Sequence, residues 1–241
     1  MSKSKQQRET VLAGRPLEYE VRRSEDATEP RIDIDIQGVQ VILPEDSEES
    51  PDEILSDNLN WVLSKKRKYD SFRERAPDRV FAPGETFPYL GEDHEIVVEP
   101  RPAHQVSEDE IRLRRSAIDQ SSLRQVLENF YRTRAREFLT ERADSFADSM
   151  DLGYDRIELR NQRTRWGSCS TNGVLSFNWR LIMAPLEALD YVVVHELAHL
   201  KEANHNDQFW RLVESELPDY QQWADWLNAN SVELIFSEDD L

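Results

Sequence analysis

The chain has 241 residues, 30 of them Lys or Arg and 48 Asp or Glu, for a formal net charge of −18. That length can bury a core as one large domain or two small ones, and six Trp, seven Tyr and nine Phe argue for a packed fold over a disordered one. The lone Cys169 excludes an internal disulfide framework and a Cys-rich zinc finger, and no apolar run reaches the roughly 18 residues a transmembrane helix needs.

Read in chain order, the opening MSKSKQQRET is expected to be a loose tail, and its lack of an apolar stretch points to a cytoplasmic address. Three short strands follow at 17–23, 31–37 and 39–43. The middle one alternates Ile32, Ile34 and Ile36 with Asp33 and Asp35, and Gly38 marks a tight turn after it. Ile54, Leu55, Leu59, Val62 and Leu63 give one helical stripe that ends on the basic Lys65–Lys68. The Pro- and Gly-rich stretch 76–102 holds a hairpin around Tyr89 and His94, and 110–118 reads as a further strand. His94 and His104 have no spacing partner and are expected at the surface.

Residues 1–118 therefore read as a β-rich module with one helix. From Leu123 to Leu139 apolar residues recur at three- and four-residue steps in a long amphipathic helix. Its outer face carries Arg124, Arg132, Arg134, Arg136 and Arg142, diluted by Glu128, Glu137 and Glu141. A strand at 156–160 leads to Arg165-Trp166-Gly167-Ser168-Cys169-Ser170, then a turn at Thr171-Asn172-Gly173 and a returning strand at 174–179. Pro185 opens a helix, and two shorter helices near 207–217 and 220–228 are separated by Pro218. Phe209, Trp210, Trp223 and Trp226 fall at helical intervals as core positions.

The Pro185 helix contains His195-Glu196-Leu197-Ala198-His199. A four-residue step puts both imidazoles on one helical face, where they can share one cation. Zn²⁺ suits imidazole nitrogen, and a catalytic site takes three protein ligands and a water. Glu196 can then reach that water as general base, while the metal lowers its pKa towards about 7. His205 supplies a third imidazole six residues after the second, so three of the chain's five histidines lie in an eleven-residue window. Ala203-Asn204 is the expected turn, Asn being tolerant of left-handed backbone. Glu202 occupies the position where a metzincin has glycine. Arg165 or Arg180 is a candidate to stabilise an oxyanion, against the alternative of an arginine packed on Trp166 or paired with a carboxylate. Asp207 is a candidate to hold a ligand imidazole, with Asn206 or Asp207 as a helix N-cap the competing role. Cys169 reads as a small buried hydrophobe rather than a fourth ligand.

RWGSCSTNGVLSFNWRLIMAP followed by DYVVVHELAHLKEANHNDQFW closely resembles the YgjP-like metallopeptidase-domain family, which is related to the WLM and SprT-like zincins. NWVLSKKRK, the long central helix and the C-terminal W-x-x-W also fit it, so the resemblance covers nearly the whole chain. It implies an α+β fold, with the N-terminal module followed by a zincin-like domain at 119–241. It also implies one zinc ion on His195, His199 and His205, with Glu196 matching the catalytic glutamate. Peptide or protein hydrolysis is the expected reaction. Hydrolysis of a nucleotide phosphoanhydride by the same metal-activated water is the alternative, though no Gly-rich phosphate loop is present. A third reading docks the Arg124–Arg142 face on DNA beside a protease site. The net charge opposes it, and neither nucleic acid nor membrane is an expected partner.

The 30 basic residues comprise 24 Arg and six Lys. An acid-rich, lysine-poor surface is the composition of proteins that work in molar salt, where the Debye length falls to about 3 Å. On this halophile reading, the melting temperature rises as KCl goes from about 0.1 to 2 M, because screening relieves the excess negative charge. A flat or falling series in a thermal melt would discard it.

Overall fold

The computed structural model describes residues 5–24, 27–35, 38–162 and 165–240. It is an α+β protein that divides into two units, the first ending at Ala76 and the second spanning Pro77–Asp240.

In the first unit β1 (Lys5–Leu12) and β2 (Arg15–Ser24) form a hairpin. Its two turn residues, Ala13 and Gly14, both have positive φ, 49° and 76°. That is the turn geometry whose twist matches the strands it joins. The expected loose tail is thus strand from Lys5 onward. Its polar side chains carry no alternation, and pairing with β2 orders it. The strand β4 (Gly38–Pro44) runs parallel to β2, and β3 (Arg31–Asp35) pairs antiparallel on its far side, giving the order β1-β2-β4-β3. Ile32 and Ile34 are half-buried as alternation requires; Ile36 and Gln37 lie outside the described residues.

The helical stripe is two helices, α1 (Pro51–Asp57) and α2 (Leu59–Arg75). Asn58 interrupts them, and its Nδ2 donates to the Ile54 carbonyl. Leu55 and Val62 close over Leu17, Tyr19, Val21, Val39, Val41 and Leu43, while the Tyr19 hydroxyl donates to the Asp52 carboxylate at 2.9 Å.

The second unit opens with β5 (Thr86–Tyr89), β6 (Glu92–Glu99), β7 (Gln105–Val106) and β8 (Glu110–Arg114), in the order β5-β6-β8-β7. The hairpin turn again has two positive φ values, 49° at Leu90 and 86° at Gly91. The first sheet's strand order and turn are repeated without visible sequence similarity. Gly91 is needed twice over, since a Cβ there would stand 2.8 Å from the Pro185 Cα. Residues 77–118, read from sequence as part of an N-terminal module, belong to this unit. Phe87, Tyr89, Ile96, Ile111 and Leu113 pack into the same core as the long helix. The strand expected at 110–118 ends at Arg114 and becomes the short helix α3 (Arg115–Asp119). His94 is not at the surface: it is 5% exposed, edge-on to Tyr89, with Nδ1 against the Glu92 carbonyl. His104 is half-buried and accepts the Arg114 N–H. Both sit on strand-rich backbone whose burial no spacing rule reports.

The long helix α4 (Leu123–Ser149) is capped by Ser122, whose hydroxyl accepts the Gln125 N–H. Its buried stripe narrows to Ala135, Ala143 and Ala147, small residues that let neighbouring backbone come close. Its arginines are engaged within the unit. Arg124 bonds Ser237 and Asp239, Arg132 pairs with Glu128 and lies over Trp179, Arg134 pairs with Glu137, and Arg136 reaches the Ile157 carbonyl. A DNA-docking face would have to break these contacts.

A three-stranded sheet follows in the order β10-β11-β9, from β9 (Arg156–Arg160), β10 (Gly167–Cys169) and β11 (Val174–Asn178). A 3₁₀ turn, Trp179–Met183, leads into α5 (Leu186–Ala198), and α6 (Asp207–Glu216) and α7 (Tyr220–Asn230) complete the unit. Pro185 is the N-cap of α5 rather than its first helical residue. Among the described residues no helix is long and apolar enough to cross a membrane.

Helix α5 buries Ala188, Leu189, Val192, Val193, Val194, Leu197 and Ala198, so it is a core helix apolar almost all round. Asp190 sits within this surface at 6% exposure, and Arg142 of α4 takes both its oxygens, at 2.6 and 2.7 Å. Removing one partner strands the other. We expect Arg142→Met to cost about 3 kcal/mol, the lower end for a broken buried pair because Arg142 is partly exposed. The double variant Arg142→Met/Asp190→Leu should recover much of it. Urea denaturation of the three proteins checks this, and a single variant as stable as the parent would refute it.

Candidate metal centre

The site is built on the last turn of α5. His195 and His199 are one turn apart, with ring centroids 5.0 Å from each other. Helix α5 ends at Ala198, and the chain reverses with the Glu202 N–H bonded to the Ala198 carbonyl and the Asn206 N–H to the Asn204 carbonyl. Asn204 is not left-handed: among the described non-glycine residues only Ala13, Leu90 and Asp151 have positive φ. The two-residue bond at Asn204 turns the chain instead. Asn206 then caps α6 by accepting the Phe209 N–H at 2.9 Å, so the helix begins directly after His205.

This turn brings His205 back to the helix. One ring nitrogen from each of His195, His199 and His205 lies within 4.8 Å of the others, and the two Nε2 atoms of His195 and His205 are 3.0 Å apart. Two nitrogens on a tetrahedral zinc at about 2.0–2.1 Å stand roughly 3.4 Å apart, so a small opening of this pair would admit the ion. The Nδ1–H of His199 donates to the Glu202 carbonyl at 3.1 Å, since a carbonyl can only accept. That fixes the tautomer and leaves Nε2 as the ligating atom. Burial, then the neighbouring His199 and His205, push the His195 pKa down to about 4, which keeps the ring in its neutral, ligating form.

His195 departs from the usual support of a metal-binding imidazole. Its Nδ1 is buried with no hydrogen-bond partner among the described residues, where a carboxylate or carbonyl is the common arrangement. Aromatic packing holds the ring instead. Phe209 stands 4.9 Å away, Trp210 5.9 Å and Tyr191 5.8 Å, all at steep angles. Phe209 also meets His199 and His205, and Trp210 stacks on His205 at 5.6 Å. Read from sequence as core, Phe209 and Trp210 are that and also the walls of the metal centre. Asp207 is exposed in the first turn of α6 and makes no printed bond to an imidazole; the capping role is Asn206's.

Glu196 follows the first histidine and is 6% exposed. Its carboxylate lies against the backbone of β10, where it accepts the Cys169 N–H, and burial pushes its pKa up to about 7 against the opposing pull of that bond and of Arg165. A Cβ on Gly167 would stand 2.5 Å from the Glu196 Oε1 and 2.6 Å from its Cγ. Only glycine admits the carboxylate here. A glycine inside a strand is itself a signal of close approach, one not used in reading the sequence.

A recess of about 500 Å³ is lined by the three histidines, Glu196, Arg165, and Gly167 to Thr171. Arg165 is exposed on its rim. Arg180 does not line it. At 3% exposure it bonds Asn178, the Gln162 carbonyl and the Leu234 carbonyl, and lies over the Trp166 ring. Cys169 is half-buried in the wall, its thiol pushed up by burial and by Glu196, and it is not part of the ligating cluster.

A family model described as YgjP-like, metallopeptidase domain, matches residues 28–230, and so spans both units. A search of curated proteins found no match. The crystal structure of the metallopeptidase zymogen of Pyrococcus abyssi abylysin is similar over 38% of this chain and 93% of its own, at 21% identity and a TM-score of 0.36.

If the three imidazoles form the metal centre, single replacement of His195, His199 or His205 by Ala should remove most bound zinc, from about one ion per chain. Elemental analysis after dialysis is the measurement. Full retention in His205→Ala would place the third ligand elsewhere.

Proposed function

The chain belongs to the YgjP-like metallopeptidase-domain family, and on that footing we propose that it is a zinc-dependent peptidase acting on peptide or protein substrates in the recess beside α5. The observation that carries the proposal is the seating of Glu196. A buried carboxylate held by a backbone N–H, beside three converging imidazoles, is the pairing that hydrolysis by an activated water requires. His195, His199 and His205 would hold the ion, a three-nitrogen set that suits zinc and leaves a position open. When bound, zinc supplies Lewis acidity and lowers the pKa of water towards about 7.

The remaining work falls to the chain's own groups. Glu196 takes the proton from the attacking water and returns it to the leaving amine. The Cys169 N–H and the bare Cα of Gly167 fix where that carboxylate stands. Arg165, on the rim, is placed to donate to the oxyanion that develops on the substrate carbonyl. Arg180 acts at one remove, by holding Trp166 and the entry to β10. Among the described residues lining the recess, Arg165 is the one arginine or lysine, which is little positive charge for a nucleotide's phosphates.

Metal-loaded protein should hydrolyse unstructured peptides. Glu196→Gln should keep its zinc and lose at least about 100-fold in turnover, the lower range for general-base catalysis. Gly167→Ala should also keep zinc, since no histidine moves, yet lose a comparable factor because its methyl displaces the carboxylate. Unchanged turnover in Glu196→Gln would sink the proposed role of Glu196.

A further inference from the structure

A second, smaller recess of about 200 Å³ adjoins the first. The two share Gly167, His195 and Glu196, and extend from them in opposite directions. The larger runs towards His199 and His205. The smaller runs back along α5 to Tyr191 and Val192 and is closed by Ala224, Leu227 and Asn228 of α7, with Trp166 on its remaining side. Its volume equals about six or seven waters, below the roughly 300–1,000 Å³ of a pocket for a whole small molecule. It is the size of one side chain. Its walls are the rings of Trp166 and Tyr191 and the branched side chains of Val192 and Leu227. Apart from Glu196 and His195, Asn228 is the one polar side chain among the described lining residues besides the tyrosine, and it is exposed.

The strand β10 supplies the reason that a peptide would present a side chain here. It is the edge of its sheet. The Asn178 N–H bonds the Trp166 carbonyl and the Ser170 N–H bonds the Val174 carbonyl, so residues 166, 168 and 170 face β11. The backbone groups of Gly167 and Cys169 therefore point the other way, to the side where Glu196 lies. A chain laid along that edge would cross Glu196 extended, with its side chains alternating. One of them, next to the carbonyl at Glu196, meets the mouth of the smaller recess.

We propose that this recess between α5 and α7 is a specificity pocket that receives a leucine-sized aliphatic side chain adjacent to the scissile bond, with Ala224 setting its depth. The proposal rests on the peptidase reading of the neighbouring site. A charged side chain would be buried there against apolar walls, and one methylene more or less in such a pocket is worth about tenfold or more in selectivity.

The test uses binding as well as turnover. Two small hydroxamates, one bearing an isobutyl and one a methyl side chain, are titrated by calorimetry into the zinc-loaded full-length protein. The isobutyl compound should bind at least about tenfold more tightly. Ala224→Val should reduce that preference and Ala224→Phe abolish or invert it, with zinc content unchanged in both as the check on folding. In digests of a denatured protein, cleavage sites should be enriched in Leu, Ile or Met on one side of the bond, and Ala224→Phe should move them to Ala, Gly or Ser. A preference for isobutyl without any peptide hydrolysis keeps the pocket and defeats the peptidase reading. Hydrolysis with equal affinity for the two compounds, no binding of either, or a preference untouched in Ala224→Phe overturns the pocket.

Discussion

The close approach of β10 to the last turns of α5 is the constraint on which the site depends. Helix α5 is apolar on nearly every side and sits in the middle of its unit, held by α4 through small residues and by Arg142 on Asp190. A helix so buried cannot carry a carboxylate unless something satisfies it. Glu196 is satisfied by the one part of its surroundings that is backbone. Because Gly167 has no side chain, the edge strand comes near enough for the Cys169 N–H to reach the carboxylate. Glycine at that position thus decides the location of the proposed base, the width of the recess and the exposure of the strand's free edge. The neighbouring elements serve the same approach. Arg180 holds the chain just before β10 by bonding the Gln162 carbonyl and covering Trp166, and Leu90 bonds the Ile182 carbonyl just before α5.

The imidazoles are held by a different economy. His199 has the carbonyl support expected of a ligand, whereas His195 is enclosed by rings and has no bond at Nδ1 among the described residues. Around it runs a continuous stack: His205 on Trp210, Trp210 on Tyr220 at 5.3 Å, and Tyr220 on Tyr191 at 6.3 Å, which returns to His195. Packing fixes the plane of a ring as firmly as a hydrogen bond does, but it adds no charge to the ligand. A carboxylate there would raise the basicity of the imidazole. An aromatic shell leaves it unchanged and lowers the local polarity.

Much of this was legible in the sequence, and the exceptions have physical causes. The α+β class, the long helix α4, the strand–turn–strand around Gly173 and the metal helix all follow from strong periodicity or a spaced motif. The convergence of His205 was expected, but by a left-handed Asn204 that the chain does not use. Boundaries were misjudged where no pattern speaks. Lys5–Leu12 is a polar strand ordered by its partner, and 77–118 shares a core with residues far along the chain. The roles of Phe209 and Trp210 were half visible, since a core aromatic and a metal-site wall have the same helical spacing. Gly167 was visible and unread. Arg165 and Arg180, equal as candidates in sequence, are separated only by burial, because nothing in their spacing tells a rim residue from a clamp.

Arginine is also where the composition acquires a second meaning. The excess of 24 Arg over six Lys reads in sequence as adaptation to salt. In the structure several of these guanidiniums perform tasks that need a rigid, many-toothed donor. Arg23 meets the carbonyls of Pro44, Glu45 and Ser47, Arg79 those of Glu233 and Ile235, and Arg142 grips both oxygens of Asp190. Arg132 and Arg180 cover tryptophan rings with a flat, weakly hydrated face. An ammonium could neutralise charge at these places but could not span two or three acceptors or lie on an indole in this way. The scarcity of lysine is therefore accounted for in part by the fold. The feature that remains for salt to explain is the surplus of carboxylates, which these internally committed arginines do little to offset at the surface.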